Sequence, residues 1–203
     1  MKMTKIALNL GCGNKHIQSD NEYRWYNVDN WEGCKPQILL DLNAKEYPWK
    51  DNSVDLILLN GSLEHLDNWE NCLKECWRIC KKETGRIIIE VPNFNYAWYH
   101  TYHKVSFTFQ TIELFNRYNS QEYFDVMKVK QRWTRSELKV LRFFGFFIDF
   151  FANLGGSKGM FIADRVWGYW VGGFEALILD IRPLNRQPYK GSYEIKKVRW
   201  EYG

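Results

Sequence analysis

Leu8-Asn9-Leu10-Gly11-Cys12-Gly13-Asn14, entered from Lys5-Ile6-Ala7, is the stretch on which the fold turns. An apolar run that ends in Gly-x-Gly reads as a buried strand feeding a tight turn, where the glycines let backbone N–H groups approach a ligand closely. This is the chemistry of a nucleotide-type cofactor turn. Lys15 and His16 stand where the stricter dinucleotide patterns carry a third glycine.

Outward from this turn, the chain is punctuated at fitting distances. Residues 14–24 are polar and short for a full crossover helix. Residues 25–29, Trp-Tyr-Asn-Val-Asp, form a second strand that ends in Asp29, 18 positions after Gly11. An acid at the tip of the second strand accepts hydrogen bonds from ribose hydroxyls in nucleoside-binding folds. A third strand over 37–40 ends in Asp41-Leu42, an acid suited to the exocyclic amine of an adenine beside an apolar residue suited to its face. A fourth, residues 54–59, breaks at Asn60-Gly61-Ser62. Apolar positions at helical spacing predict a helix over 69–82, and residues 86–91 form a fifth strand closed by Pro92-Asn93. Strands that all end in polar residues bring those ends to one edge of a parallel sheet, where open α/β sheets bind ligands.

Composition bounds the reading. A chain of 203 residues with 26% charged and 45% hydrophobic residues is ordinary for a single globular domain and speaks against disorder and membrane spanning. A net charge of +4 permits an anionic substrate without demanding nucleic acid. Five cysteines, without a signal peptide before them, suggest reduced thiols and a cytoplasmic location. Cys72 and Cys80 are eight residues apart, about 12 Å along a helix, too far to share an ion. With Cys76 they read as small apolar residues on a buried face. The 35 aromatic residues (10 Trp, 12 Tyr, 13 Phe) concentrate after Pro92 and point to a pocket or a partner surface.

Taken together, L-N-L-G-C-G, N-V-D, D-L, P-W-K-D-N-S-V-D-L-I, L-E-H-L, K-E-C-W-R-I-C-K and G-R-I-I-I-E-V-P-N closely resemble the class I S-adenosylmethionine-dependent methyltransferases. The nearest likeness is to the type-11-like group associated with glycan biosynthesis, over about residues 5–94. The resemblance implies an α/β, three-layer, doubly wound sheet: a seven-stranded Rossmann-like methyltransferase fold with a reversed last strand and an aromatic lid insertion. It implies one domain over 1–203, with a cofactor-binding half at 1–94 and the substrate lid and C-terminal strands at 95–203. Carried over, Gly11, Cys12 and Gly13 contact the methionine part of S-adenosylmethionine. Asp29 takes the ribose, Asp41 and Leu42 the adenine, and Asn60 the ammonium through its carbonyl. Asn9 stands where the family often has an acid and joins the cofactor set on that account. A nicotinamide dehydrogenase would need the third glycine, and it has no counterpart of Glu64-His65.

Methyl transfer to a hydroxyl calls for alignment and, where needed, a base. His65, just past the fourth strand, is the first candidate, with His103 and Glu64 beside it in the reading. Residues 94–106 carry Phe94, Tyr96, Trp98, Tyr99, Tyr102, His100 and His103 and are expected to form the lid. His100 and His103 have helical spacing for a metal, but the sequence offers no third ligand, so no metal is expected. Lys128, Lys130, Arg132, Arg135, Lys139 and Arg142 read as a solvated basic face or a phosphate site. Residues 143–151 read as a buried element too short to span a membrane. Trp167 and Trp170 add to the late aromatics, and residues 192–202 read as the final strand. The expected activity is methylation of a hydroxyl or carboxyl on a sugar, glycan precursor or related small metabolite. RNA methylation and a non-catalytic, cofactor-binding partner subunit are the alternatives.

Overall fold

The computed structural model describes residues 5–97, 100–133, 139–154, 174–189 and 199–200, with single positions at 156, 158, 159 and 162. Strands β1 (Lys5–Leu10), β2 (Tyr23–Asp29), β3 (Ile38–Leu39), β4 (Leu56–Asn60) and β5 (Arg86–Pro92) run parallel. Helix α1 (Trp69–Ile79) joins β4 to β5; α2 (Phe94–Ala97), α3 (Thr111–Tyr118), β6 (Gln121–Arg132), α4 (Lys139–Leu154), β7 (Ala176–Pro188) and β8 (Arg199–Trp200) follow. The sheet order is β3-β2-β1-β4-β5-β7-β6-β8. β7 is antiparallel to both its neighbours, so the expected seven-stranded sheet with a reversed strand is present, and the two-residue β8 extends it. Strand order reverses direction at β1, which lies between β2 and β4, and that is where ligands enter such sheets.

The central strands bury one apolar face in register. Leu8, Leu10, Ile57, Leu59, Ile87 and Val91 are fully buried, and α1 adds Cys72, Leu73, Cys76 and Ile79 to the same core. Cys80 is equally buried, so all three spaced cysteines pack as apolar residues. The helix stops three residues earlier than its spacing suggests. Cys80 is extended, with ψ 141°, and forms a bridge to Val54, which takes the chain out of helical geometry before Gly85.

The crossover from β1 to β2 contains no helix. Its polar chain is held by buried amides instead: Asn27 Nδ2 donates to the Ile17 carbonyl at 3.0 Å, Ile17 N donates to Asn27 Oδ1 at 2.8 Å, and Asn9 Nδ2 donates to the Lys15 carbonyl at 2.8 Å. These bonds satisfy backbone groups that a helix would have satisfied internally.

Three expectations for the second half are corrected. Residues 121–132 of the basic segment form β6, and Arg132 there meets Glu90 at 3.5 Å rather than lying on a purely solvated face. The reversed strand is β7, not 192–202: Ala176, Leu177, Leu179 and Ile181 are at most 1% exposed, as a strand buried on both faces requires, whereas an alternating pattern suits only a half-buried one. Of the stretch 192–202, only β8 lies among the described residues, parallel to β6 at the sheet edge. Residues 143–151 are not a buried element. They lie in α4, whose Phe143, Phe144, Phe146, Phe147 and Phe151 are all exposed. Its inward face consists of Gly145, Asp149, Ala152 and Asn153, all buried. Asp149 Oδ1 accepts from Trp133 N at 2.6 Å, and Asn153 exchanges hydrogen bonds with the backbone of Gln131 at 3.1 Å. Of the basic and aromatic residues singled out above, Trp98, Tyr99, Arg135, Trp167 and Trp170 lie outside the described residues.

Candidate functional site

Gly11 and Gly13 turn the chain with φ of +71° and +46°, a region that favours glycine. A Cβ on Gly11 would lie 2.4 Å from Ser62 Cβ, so the turn after β1 packs directly on the turn after β4. A Cβ on Gly13 would meet nothing within 4 Å, which leaves room for a ligand there. The two turns are tied by Ser62 Oγ, which donates to the Leu10 carbonyl at 3.1 Å.

Around them lies a cavity of about 430 Å³, lined among others by Gly11, Gly13, Asp29, Asp41, Leu42 and His65. This volume falls in the range of small-molecule and cofactor sites. Asp29 closes β2 beside the glycine turn: its Oδ2 accepts from Gly13 N at 2.8 Å and its Oδ1 from Trp31 N at 3.0 Å. An ionised carboxylate has about four lone-pair positions, so this anchored acid retains acceptor capacity toward the cavity. Leu42 is 5% exposed and Asp41 is exposed, so an apolar surface and an acid stand side by side.

Five of the residues singled out by sequence do not line the cavity: Asn9, Cys12, Asn60, Glu64 and His103. Asn9 is buried and binds Asn27 Oδ1 at 2.9 Å in addition to Lys15, so its side chain is engaged in holding the 14–22 crossover. Cys12 is buried, and burial pushes its thiol up to about 12, which keeps it protonated and inert. Asn60 is the last residue of β4; its neighbours Gly61 and Ser62 face the cavity in its place. Glu64 is 2% exposed.

Glu64, His65 and His103 do come together. A short 3-10 turn over Leu63–His65 follows β4, and the segment after α2 folds back over it. Lys104 N donates to the Glu64 carbonyl at 2.9 Å, and His65 Nδ1 lies 3.2 Å from the Tyr102 carbonyl. The His65 and His103 rings are 4.9 Å apart, and His100 stacks on His103 at 4.4 Å. Of the described residues 94–106, Lys104 alone lines the cavity. Leu40, Asn43, Leu66 and Lys104 also line it and escaped the sequence reading. Asn43 was legible as an Asx turn after Asp41, whereas Lys104 reaches the site only through tertiary folding.

Residues 8–89 match the family model described as a methyltransferase domain. No curated protein matches the chain. Among solved structures, a methyltransferase from Haloferax volcanii, in complex with the Trm112 activator, has a TM-score of 0.61 at 13% identity, over 93% of this chain and 87% of that one. A SAM-dependent methyltransferase from Archaeoglobus fulgidus has a TM-score of 0.58 at 15% identity, over 88% and 86%. A phosphoethanolamine N-methyltransferase from Haemonchus contortus, bound to phosphomonomethylethanolamine and S-adenosylhomocysteine, has a TM-score of 0.58 at 11% identity. That alignment covers 91% of this chain and 50% of the Haemonchus chain.

Proposed function

We propose that the protein is an S-adenosylmethionine-dependent methyltransferase of class I fold that methylates a small acceptor, a reading supported by the match of residues 8–89 to a methyltransferase domain model. The acceptor is a hydroxyl or carboxyl group of a sugar, glycan precursor or related metabolite. The observation that carries this reading is the cavity itself, whose lining joins the glycine turn and two strand-end acids with His65 and Lys104. The first set suits a nucleoside and the second an acceptor.

S-adenosylmethionine supplies, when bound, an electrophilic methyl group on sulfur. The chain's part is binding, alignment and proton handling. Asp29, already fixed by two backbone N–H groups, accepts from ribose hydroxyls without reorganising. Asp41 and Leu42 take the adenine by hydrogen bonding and packing, and the Gly11–Gly13 backbone passes close to the amino-acid end. His65, which lines the cavity, handles the acceptor's oxygen with Glu64 and His103 beside it, and residues 94–106 cover the acceptor as a lid. Alignment of two bound reactants is itself worth several kcal/mol of barrier.

Calorimetry on cofactor-stripped protein tests the reading. Both S-adenosylmethionine and its demethylated product are expected to bind. Asp29→Ala is expected to weaken both by about 1.5–3 kcal/mol, the range for hydrogen bonds to a charged group. A folded protein that binds neither ligand would overturn it.

A further inference from the structure

Glu64, His65 and His103 each bring one donor atom within 4.8 Å of the other two. Their arrangement is more specific than proximity. His65 Nδ1 faces the Tyr102 carbonyl at 3.2 Å and His103 Nδ1 faces the Ala97 carbonyl at 2.9 Å. A carbonyl oxygen only accepts, so the neutral form of each imidazole carries its proton on Nδ1 and its lone pair on Nε2. A backbone carbonyl that fixes tautomer and ring orientation in this way is the usual support of a metal-ligating histidine. Donor atoms on one ion at about 2.1 Å lie about 3–4 Å apart, so a contraction of about an ångström closes the set.

We propose that Glu64, His65 and His103 form a divalent-cation site at the acceptor end of the cavity. Two imidazoles and a carboxylate suit Mn²⁺ or Zn²⁺ and leave coordination positions open. His65 lines the cavity, so those positions are within reach of an acceptor that presents adjacent oxygens, such as a sugar diol or a carboxylate. This use of the cation rests on the methyltransferase reading; the site does not. The sequence alone offers no third ligand beside His100 and His103; the proposed set takes one donor, His103, from 94–106 and two, Glu64 and His65, from the turn after β4.

A second cluster, Cys12, His16 and Cys34, offers sulfur donors, but the Cys12 thiol is held protonated by burial. Mn²⁺, which favours oxygen and nitrogen, is therefore the discriminating probe. With chelator-treated full-length protein, Mn²⁺ alone is expected to bind in calorimetry. It is expected to broaden the imidazole resonances of His65, His100 and His103 while leaving His16 sharp. His65→Ala and His103→Ala are each expected to weaken Mn²⁺ binding more than about tenfold while S-adenosylmethionine affinity is retained. The resonance pattern is read on the wild type and does not depend on how the variants fold. Folded protein that binds S-adenosylmethionine but not Mn²⁺, or in which Mn²⁺ leaves His65 and His103 sharp, overturns the site and leaves the proposed function standing. Protein that binds Mn²⁺ at these histidines but no S-adenosylmethionine does the reverse.

The outward face of α4 carries a separate inference. β6 and β7 are adjacent antiparallel strands, yet 43 residues, 133–175, connect them and include α4. Arg132 pairs with Ala176, and Ala176 with Pro92, so this excursion leaves the sheet at the edge where β5 ends, the edge that holds the cavity. Five α4 phenylalanines are between 45% and 64% exposed, while its only acid, Asp149, is turned inward. Exposed Lys139 opens the helix and exposed Lys158 follows it. Sixteen residues make about 24 Å of helix, short of the ~30 Å of a bilayer core, and among the described residues no helix is long and apolar enough to cross a membrane. An aromatic face with an ammonium group toward each end and no exposed acid suits the headgroup–acyl boundary of an anionic leaflet. We infer that α4 lies in the plane of such a leaflet.

Flotation of the full chain with phosphatidylcholine vesicles, with and without phosphatidylglycerol, tests this. The wild type is expected to float with the anionic vesicles only. The Phe143→Ser/Phe147→Ser/Phe151→Ser variant is expected to stay behind. Lys139→Glu/Lys158→Glu, changed only at exposed positions, is expected to partition about tenfold or more weakly. Folded wild type that does not float overturns the inference, and a dimer in light scattering that the serine variant converts to monomer assigns the face to a second copy instead.

Discussion

α1 and α4 are both strongly amphipathic, yet they are built in opposite senses. α1 turns Cys72, Leu73, Cys76 and Ile79 into the core, and its one buried charge, Glu75, is paired with Arg78. α4 turns Gly145, Asp149, Ala152 and Asn153 inward and its phenylalanines outward. The first is held by the hydrophobic effect; the second has a small apolar contact of Ala152 and Ile148 with Phe174 and Trp133 and hydrogen bonds between two buried polar side chains and the backbone at the end of β6. The difference teaches that an apolar stripe identifies a helix face without saying what that face meets. α1 fastens the half of the sheet that forms the cavity; α4 is attached to the sheet while its apolar face is left to the exterior.

The sharpest contrast is expected from deletions on the inward faces. Leu73→Ala removes a fully buried side chain and is expected to cost about 2–5 kcal/mol in denaturant unfolding. Asn153→Ala strips the Gln131 backbone of two partners in a buried setting and is expected to cost about 1–3 kcal/mol, concentrated in α4 and the end of β6. Hydrogen exchange would localise that loss. A global loss from Asn153→Ala as large as that from Leu73→Ala would break the distinction.

Acid titration separates the two helices by sign. For Glu75 in α1, burial opposes ionisation, but hydrogen bonds from Arg78 and the Tyr47 N–H prevail and hold its carboxyl below 4.5. Its folded pKa is depressed, so its contribution is present above the ordinary value and lost as pH falls through the folded one. For Asp149 in α4, burial outweighs the Trp133 N–H and raises the carboxyl above 3.8. The folded state then holds the proton more tightly than the unfolded chain, so stability declines as pH rises from 3.8 through the raised value. Asp149→Asn keeps an oxygen for Trp133 and is expected to gain on the wild type as pH rises. Glu75→Gln is expected to lose to it over the same direction. Melting curves from about pH 2 to about pH 7 would check both signs, Glu75 below 4.5 and Asp149 above 3.8.

The same contrast explains what the sequence disclosed. The N-terminal half of the sheet was legible because its elements are local: Gly11, Asp29 and Asp41 each mark the end of a strand, and a strand end in a parallel sheet has one place to be. Asn9 and Asn27 were harder, since a buried amide that replaces a crossover helix has no periodicity. β7 was hidden by being buried on both faces, which erases the alternation that strand reading looks for. α4 was misjudged because its hydrophobicity, taken alone, argues for burial, and only Asp149 and Asn153, four apart on the opposite face, could have signalled the inversion. The meeting of Glu64 and His65 with His103 depends on the chain folding back across 38 residues, which no spacing rule anticipates.

The smallest effect expected is also the most direct test of the comparison. Phe147 is 45% exposed on α4, and Trp77 is a partly buried aromatic packed against the main core near α1's C-terminal end. If α4's outer face contributes nothing to the packed interior, Phe147→Ser should change unfolding free energy by no more than about 0.5 kcal/mol, as for surface substitutions away from structural features. Serine has a somewhat poorer helix propensity, which falls within that range. Trp77→Ser, by contrast, removes an indole that donates to the Leu184 carbonyl at 2.9 Å and packs on Tyr123 at 5.3 Å, and it should cost well beyond that range. Urea midpoints measured side by side decide it. Equal losses from the two would mean that the phenylalanines of α4 are packed in solution, and the outward-facing description of that helix would fall with them.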